Sequence, residues 1–291
     1  MSTLLGDYWF WRNEHIPSAA LIGLLGEFEI SPSGARAAMQ RLTARNLLVS
    51  SRSGRTTAYG LLPRSRTVLI TYLDKLFMLG SGEPAWDGNW TVVTYSIPED
   101  EKDSRRALRE ALRELKFGIL YDAVWISPRD KSLDVLAVQE EIGVSVTVFR
   151  AKCVSPEHPV TVATEAFDLG ALGSRYQEFI DTYQPVRESL RSTKPTPAQA
   201  LKLRTAVMTD WRDFPQLDPN LPTALLPQEW PGRDALECCA GIYDSLGPLA
   251  EECFRSTIAE FDPGLALLSS HHTFAGAREL ISQGCTGHNG R

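Results

Sequence analysis

Between Ser31 and Arg66 the chain reads SPSGARAAMQRLTARNLLVSSRSGRTTAYGLLPRSR, with seven arginines and no aspartate or glutamate, inside a protein of net charge -6. The remainder must therefore carry about -13 by difference. A surface that only meets water mixes its signs. One purged of acid while its surroundings are acidic is built to meet phosphates.

The order of residues within the stretch fits that reading. Ser31 or Ser33 can cap a helix, and Ala35, Ala38, Met39 and Leu42 recur at helical spacing as an inward stripe. This turns Ser33, Arg36, Ala37, Gln40, Arg41 and Ala44 outward. Small residues let such a helix sink into a major groove, while Arg36 and Gln40 reach guanine and adenine edges. Asn46 can stop the helix. Leu47–Ser51 and Thr56–Leu62 then read as two short strands around Arg52-Ser53-Gly54-Arg55. Pro17, Ala19, Ala20, Leu21, Leu24 and Leu25 make a short apolar helix in front, so the order is that of a winged helix-turn-helix. Arg41, Arg52 and Arg55 are assigned to phosphate or minor groove. Arg41 and Arg45 lie near the edges of the outward face, where pairing with the domain body competes with DNA. The aromatic run Tyr8, Trp9, Phe10 and Trp11 reads as packing for the helix pair or a dimer contact.

With 291 residues the chain can form about two or three domains with their own cores. The opening MSTLLGDYWFWRNEH lacks the pattern of a secretory signal, and no apolar run approaches the roughly 18 residues of a spanning helix, so a cytoplasmic location is expected. Five cysteines without C-x-x-C pairing suit buried thiols better than disulfides or zinc. His271, His272 and His288 sit in a Gly- and Ser-rich tail that gives little reason for a metal site. Neither a local Ser-His-Asp or Cys-His arrangement nor a phosphate-cradling G-x-x-x-x-G-K loop is present, and no catalytic residue, cofactor or metal is assigned.

Further along, Thr67–Leu79 reads as a connecting helix ending at Gly80-Ser81-Gly82. Trp86 and Trp90 flank Asp87-Gly88 in what reads as a structural turn. Strand character at Trp90–Ile97, Ala123–Ser127 and Val144–Cys153 alternates with helices at Asp103–Leu115 and Lys131–Ile142, a pattern predicting a ferredoxin-like α+β domain. Beyond Asp168 only helices are expected, at about 168–191, 197–213 and 232–261, with the proline-rich LDPNLPTALLPQEWPG between the last two. The division predicted is 1–64 winged helix-turn-helix, 65–84 connecting helix and linker, 85–163 ferredoxin-like, 164–264 helical and 265–291 weakly ordered. The fold class is α+β.

Several motifs in this order resemble the PaaX-type repressors of phenylacetic acid degradation operons: GARAAMQRLTARNLLVSSRSGRTTAYGL, EPAWDGNW, LRELKFGIL with VWISP, and DPNLPTALLPQEWPGRDA. The resemblance covers nearly the whole chain. It implies a homodimer on double-stranded operator DNA, released by an aryl-CoA thioester such as phenylacetyl-CoA. Before the DP-x-LP motif this chain carries Thr209, Asp210, Trp211, Arg212 and Asp213, where many relatives have histidine and paired arginines; an acid there suits a CoA phosphate poorly. The middle domain also resembles the small ferredoxin-like proteins of CRISPR adaptation. Ser96 stands where that family's metal-binding aspartate is expected, so a fold without nuclease chemistry is anticipated, although Asp100 and Asp103 follow closely.

An effector pocket is expected among aromatic walls and a cation, with Tyr176, Trp211, Arg212, Trp230 and Tyr243 as candidates. Each competes with a plain packing role. Three functions stay in view: an effector-gated repressor, a metal-dependent nuclease on the middle domain, and a DNA-bound regulator without small-molecule control.

Overall fold

The computed structural model of the chain describes residues 1–10, 12–54, 56–62, 75–77, 79, 85–98, 100–154 and 158–277. The elements are α1 Ser2–Tyr8, β1 Ile16–Pro17, α2 Ser18–Gly26, α3 Pro32–Ala44, β2 Leu48–Ser53, β3 Thr56–Leu61, β4 Trp90–Tyr95, α4 Lys102–Glu114, β5 Gly118–Tyr121, β6 Val124–Ser127, α5 Ser132–Ile142, β7 Val146–Ala151, α6 Pro159–Ala166, α7 Leu169–Ser189, α8 Pro197–Trp211, α9 Phe214–Leu217, a 3₁₀ turn Thr223–Leu225, α10 Gly232–Ala259 and α11 Pro263–Ala266. This is a mixed α+β chain with two antiparallel sheets and a helical C-terminal region.

Contacts divide it into two units that cut across the linear order. The first holds residues 1–78, 179–213 and 234–291, and the second 79–178 and 214–233.

In the first unit, α2 buries Ala20, Leu21, Leu24 and Leu25, and each such leucine contributes about 1.5–3 kcal/mol by leaving water. Glu29, at φ 61, closes the turn into α3, with Ile30 N–H donating to Leu25 O at 3.2 Å. A three-stranded sheet of order β1-β3-β2 follows. Ile16 faces Tyr59 across one ladder and Ser51 faces Ala58 across the other. Gly60 has a steric reason: a Cβ there would lie 2.3 Å from the His15 ring, which bonds Ser51 Oγ at 2.6 Å.

The helices α8 and α10 belong to this same unit. Thr196 caps α8 with a reciprocal Gln199 capping box, and the observed ends, 197–211 and 232–259, fall within two residues of those expected from sequence. Residues 265–277, expected to be weakly ordered, are instead packed: Ala266, Phe274 and Ala277 are buried, and Phe274 meets Phe77 edge-on at 4.9 Å. Most of the expected connecting helix, and everything after 277, lie outside the described residues.

The second unit is built on a four-stranded sheet of order β5-β6-β4-β7, every neighbour antiparallel, in the chain order strand, helix, strand, strand, helix, strand. One of those strands, β5, was not anticipated. Val93, Leu108, Leu112, Phe117, Trp125 and Val135 form its core under α4 and α5. The helix α6 covers β5 so closely that a Cβ on Gly118 would sit 2.7 Å from Ala166 O. Among the described residues no helix is long and apolar enough to cross a membrane.

Candidate nucleic-acid interface

The exposed face begins at the cap of α3, where Ser31 Oγ accepts from Gly34 N–H at 3.2 Å and Pro32 occupies the first turn, so the helix starts where the sequence requires. Ala35 and Met39 are buried, while Ala38 and Leu42 are only partly so. This rotation leaves Ser33, Arg36, Gln40, Arg41, Ala44 and Arg45 exposed on one side. Ser33 Oγ lies 3.1 Å from Ser31 Oγ, which ties it to the cap. Asn46, at φ 56, ends the helix with its N–H on Thr43 O, and Leu47 N–H reaches Leu42 O. That closure releases the chain directly into β2.

On the hairpin Arg52 is exposed opposite Thr57, and Ser53 pairs with Thr56 so that Gly54, at φ 59, sits in the tip. Arg55 lies outside the described residues. Among the described residues the side chains of Arg36, Arg41, Arg45 and Arg52 form no ion pair or hydrogen bond, so the pairing with the domain body considered for Arg41 and Arg45 is not seen. A row of unneutralised guanidinium groups on one helix and its adjoining hairpin attracts a polyanion and offers bidentate donors to its bases.

The five effector candidates are divided between the units. In the second, Tyr176 stacks on Phe214 at 4.2 Å, meets Trp230 edge-on at 5.7 Å and donates its hydroxyl to Asp218 Oδ2 at 2.6 Å. Burial pushes the Asp218 carboxyl above its usual range although Tyr176 and Asn220 N–H both donate to it. Arg129 donates to Asn220 O and Lys116 to Pro215 O, so the DPNLP segment is clasped onto the sheet domain. In the first unit, Trp211 is fully buried against Phe179, Arg212 reaches Thr3 Oγ1 at 3.1 Å, and Tyr243 donates to Asp7 Oδ1 at 2.8 Å. Each of the five has a packing or hydrogen-bonding role of its own.

Trp86 donates to Asn89 O at 2.9 Å and Gly88 has φ 80, so Trp86–Asn89 forms a tight turn. Ser96 and Asp100 are exposed, Asp103 pairs with Arg106 at 3.2 Å, and among the described residues no cluster of three His, Cys, Asp or Glu could hold a metal ion.

One pair escaped the sequence reading. Arg204 is fully buried, 3.7 Å from Asp7, between the rings of Tyr8 and Tyr243. A signal for it existed, since Arg204 sits on the apolar stripe Ala200, Leu201, Val207, Met208 and Trp211, where a charge can persist only with partners.

Three family models match the chain in succession: PaaX-like protein over residues 1–64, PaaX protein central Cas2-like domain over 83–163, and PaaX-like protein C-terminal domain over 167–256. The transcriptional repressor PaaX of Escherichia coli (strain K12) is 27% identical over 261 residues, spanning 86% of this chain and 80% of that protein. An uncharacterized protein from Mycobacterium tuberculosis shares the fold with a TM-score of 0.56 at 23% identity, covering 88% of this chain and 95% of the other. With its three successive segments matched in order, the chain belongs to the PaaX family.

Proposed function

We propose that this protein is a transcriptional repressor of a phenylacetate-type catabolic operon, bound to duplex DNA as a homodimer and released by an aryl-CoA thioester. The observation that carries the DNA-binding part is the exposed, acid-free face of α3 and the β2–β3 hairpin with its unpaired arginines. In this reading α2 and α3 form a helix-turn-helix and the hairpin is its wing. Ser33, Arg36 and Gln40 meet the major groove, and Arg41, Arg52 and Arg55 meet phosphates or the minor groove. The β4–β7 domain is a ferredoxin-like fold retained without nuclease chemistry, because an exposed Ser96 hydroxyl is a poor substitute for a magnesium-binding carboxylate. The protein is read as a non-enzyme.

The effector part rests on family membership. Tyr176, Trp211, Arg212, Trp230 and Tyr243 stay as its candidates, now with competing packing roles. An effector releases DNA only by favouring a conformation in which the two recognition helices no longer match the half-sites, and a coupling of about 1–3 kcal/mol changes affinity roughly 5- to 150-fold.

A gel shift on DNA from upstream of the protein's own gene, with and without a panel of aryl-CoA thioesters, tests both parts. Specific retention with half-sites about 10 bp or a multiple apart, reversed by one thioester, is expected. Retention unaffected by every thioester would leave a DNA-bound regulator without this effector class, and cleavage of the probe with magnesium or manganese would restore the nuclease reading.

A further inference from the structure

The buried polar cluster around Arg204 joins parts of the chain that are distant in sequence. The Arg204 guanidinium, with no exposed surface, donates from Nε to Tyr243 O on α10 at 3.0 Å and from Nη2 to His272 O in the C-terminal strap, residues 268–277. It lies 3.6 Å from the Tyr243 ring centroid and 5.0 Å from that of Tyr8. Its acidic partner Asp7, on α1, is held at Oδ1 by the Tyr243 hydroxyl.

The pairing is incomplete. Among the described residues, Asp7 Oδ2, Arg204 Nη1 and the Tyr8 hydroxyl are buried with no hydrogen-bond partner, and the separation of 3.7 Å between Nη1 and Oδ2 exceeds a hydrogen bond. A buried network satisfied only in part is costly to keep closed.

The surroundings connect this cluster to the proposed DNA-reading head, which is α2, α3 and the β1–β3 sheet. Ser270 N–H donates to Tyr8 O at 3.3 Å and Arg12 Nε to Leu268 O at 2.6 Å, so the strap grips the end of α1 and the residues after it. The strap is itself fastened to α10: His271 N–H donates to Glu251 at 3.0 Å and Phe274 N–H to Asp244 at 2.9 Å. Trp9 Nε1 donates to Glu14 O at 2.8 Å, and the chain then enters β1, which pairs with β3 of the hairpin. These bonds tie the end of α1 to the sheet that carries Arg52.

We propose that the Asp7–Arg204 pair is a latch fastening α1 and the DNA-reading head to α8, α10 and the C-terminal strap, and that the charge on Asp7 governs its opening. The DNA consequence rests on the function proposed above, whereas the latch itself does not. Asp7 acts as a positioning residue.

Several titratable groups face Asp7. From its own helix and the residue before it these are Tyr8 and the Met1 amine; from α8, Arg204; from α10, Tyr243 and Cys239. His272 of the strap faces Arg204 and is held neutral, burial lowering it to about 4. Burial is the largest influence on Asp7 and raises its carboxyl to about 6, against the opposing pull of Arg204 and Tyr243. A group whose pKa is raised by closure binds its proton more tightly when closed. The Asp7 contribution to closure therefore grows as pH falls below about 6 and fades as pH rises above it, while that of His272, lowered by burial, runs the opposite way.

Native-state hydrogen exchange on the full-length protein, corrected for intrinsic amide chemistry, reads the opening of peptides covering 1–10 and 268–277. His272, lowered by burial to about 4, gains a proton on opening and favours opening as pH falls in both proteins, so the readout is the ratio of the wild-type to the Asp7→Asn opening constant, which should rise about tenfold from pH 5 to pH 7.5. Should Asp7→Asn fail to fold, Tyr243→Phe removes a hydrogen bond that favours the carboxylate and should move the midpoint to higher pH. A ratio of wild-type to variant opening constants that does not change with pH, in whichever variant folds, overturns the latch. Adding the retained upstream DNA to the same measurement should slow exchange in both peptides. If exchange shows the pH dependence but no DNA binds, the latch stands and the repressor reading fails; if DNA binds but leaves the latch peptides unaltered, the link from latch to head fails.

Discussion

Arginines on α3 and the hairpin and the arginine at the centre of α8 share one side-chain chemistry and stand in opposite environments. Arg36, Arg41, Arg45 and Arg52 are exposed and unpaired among the described residues, whereas Arg204 is fully buried among Asp7, two tyrosine rings and two carbonyls. An exposed guanidinium keeps its hydration until a phosphate or base replaces it, so its contribution appears on binding. A buried one has given up that hydration during folding, and its contribution is to which conformation the chain adopts. Substitutions in the first set should therefore change DNA affinity at nearly constant stability, and substitutions in the second should change stability first.

The largest effect expected is for Arg204→Leu. It strands the Asp7 carboxylate in the interior, and breaking a buried pair from one side costs about 3–5 kcal/mol. Urea unfolding should show a lower midpoint, with much of the loss restored by the double change Asp7→Asn with Arg204→Leu. An Arg204→Leu midpoint within error of wild type would mean that the cluster holds nothing together, and the contrast with α3 would collapse.

A smaller effect separates the cap of α3 from its reading face. Ser31→Ala removes the acceptor for Gly34 N–H and should cost about 1 kcal/mol of stability, visible as faster amide exchange in the first turn. DNA affinity should fall in proportion to that fraying, with base preference kept. Altered preference instead would assign Ser31 to the DNA contact as well.

Local signals made the reading face legible. A serine followed by proline, an Ala35–Met39 stripe and a Gly54 tip each act within a few residues, and the helix and hairpin form where those signals lie. Less was legible where short elements draw their stability from tertiary contacts. The strand β5 is four residues long with no alternation strong enough to mark it, and it is held by β6 on one side and α6 across its face. Packing of the C-terminal strap was equally hidden, because Arg204, Asp244 and Glu251 supply its partners from remote helices. The latch was half legible: periodicity puts Arg204 on a buried stripe, but nothing in α8 names Asp7 as the partner. The five effector candidates were chosen as aromatic or cationic residues in helical segments. That criterion also selects the residues that pack helices together, as Tyr176 on Phe214 and Trp211 on Phe179 do.

The central claim is that the exposed arginine face reads DNA. Its most direct test is the salt dependence of affinity for upstream DNA, measured for wild type and for the variant with Arg36, Gln40, Arg52 and Arg55 all changed to alanine. The slope of log affinity against log salt should fall in magnitude by about one unit for each arginine that meets a phosphate, and preference for the specific site should drop by about 1–3 kcal/mol for each lost base contact. The unfolding midpoint should barely move, since surface substitutions away from structural features change stability by about 0.5 kcal/mol or less. A quadruple variant with wild-type affinity, slope and site preference, and an unchanged unfolding midpoint, would contradict the assignment outright.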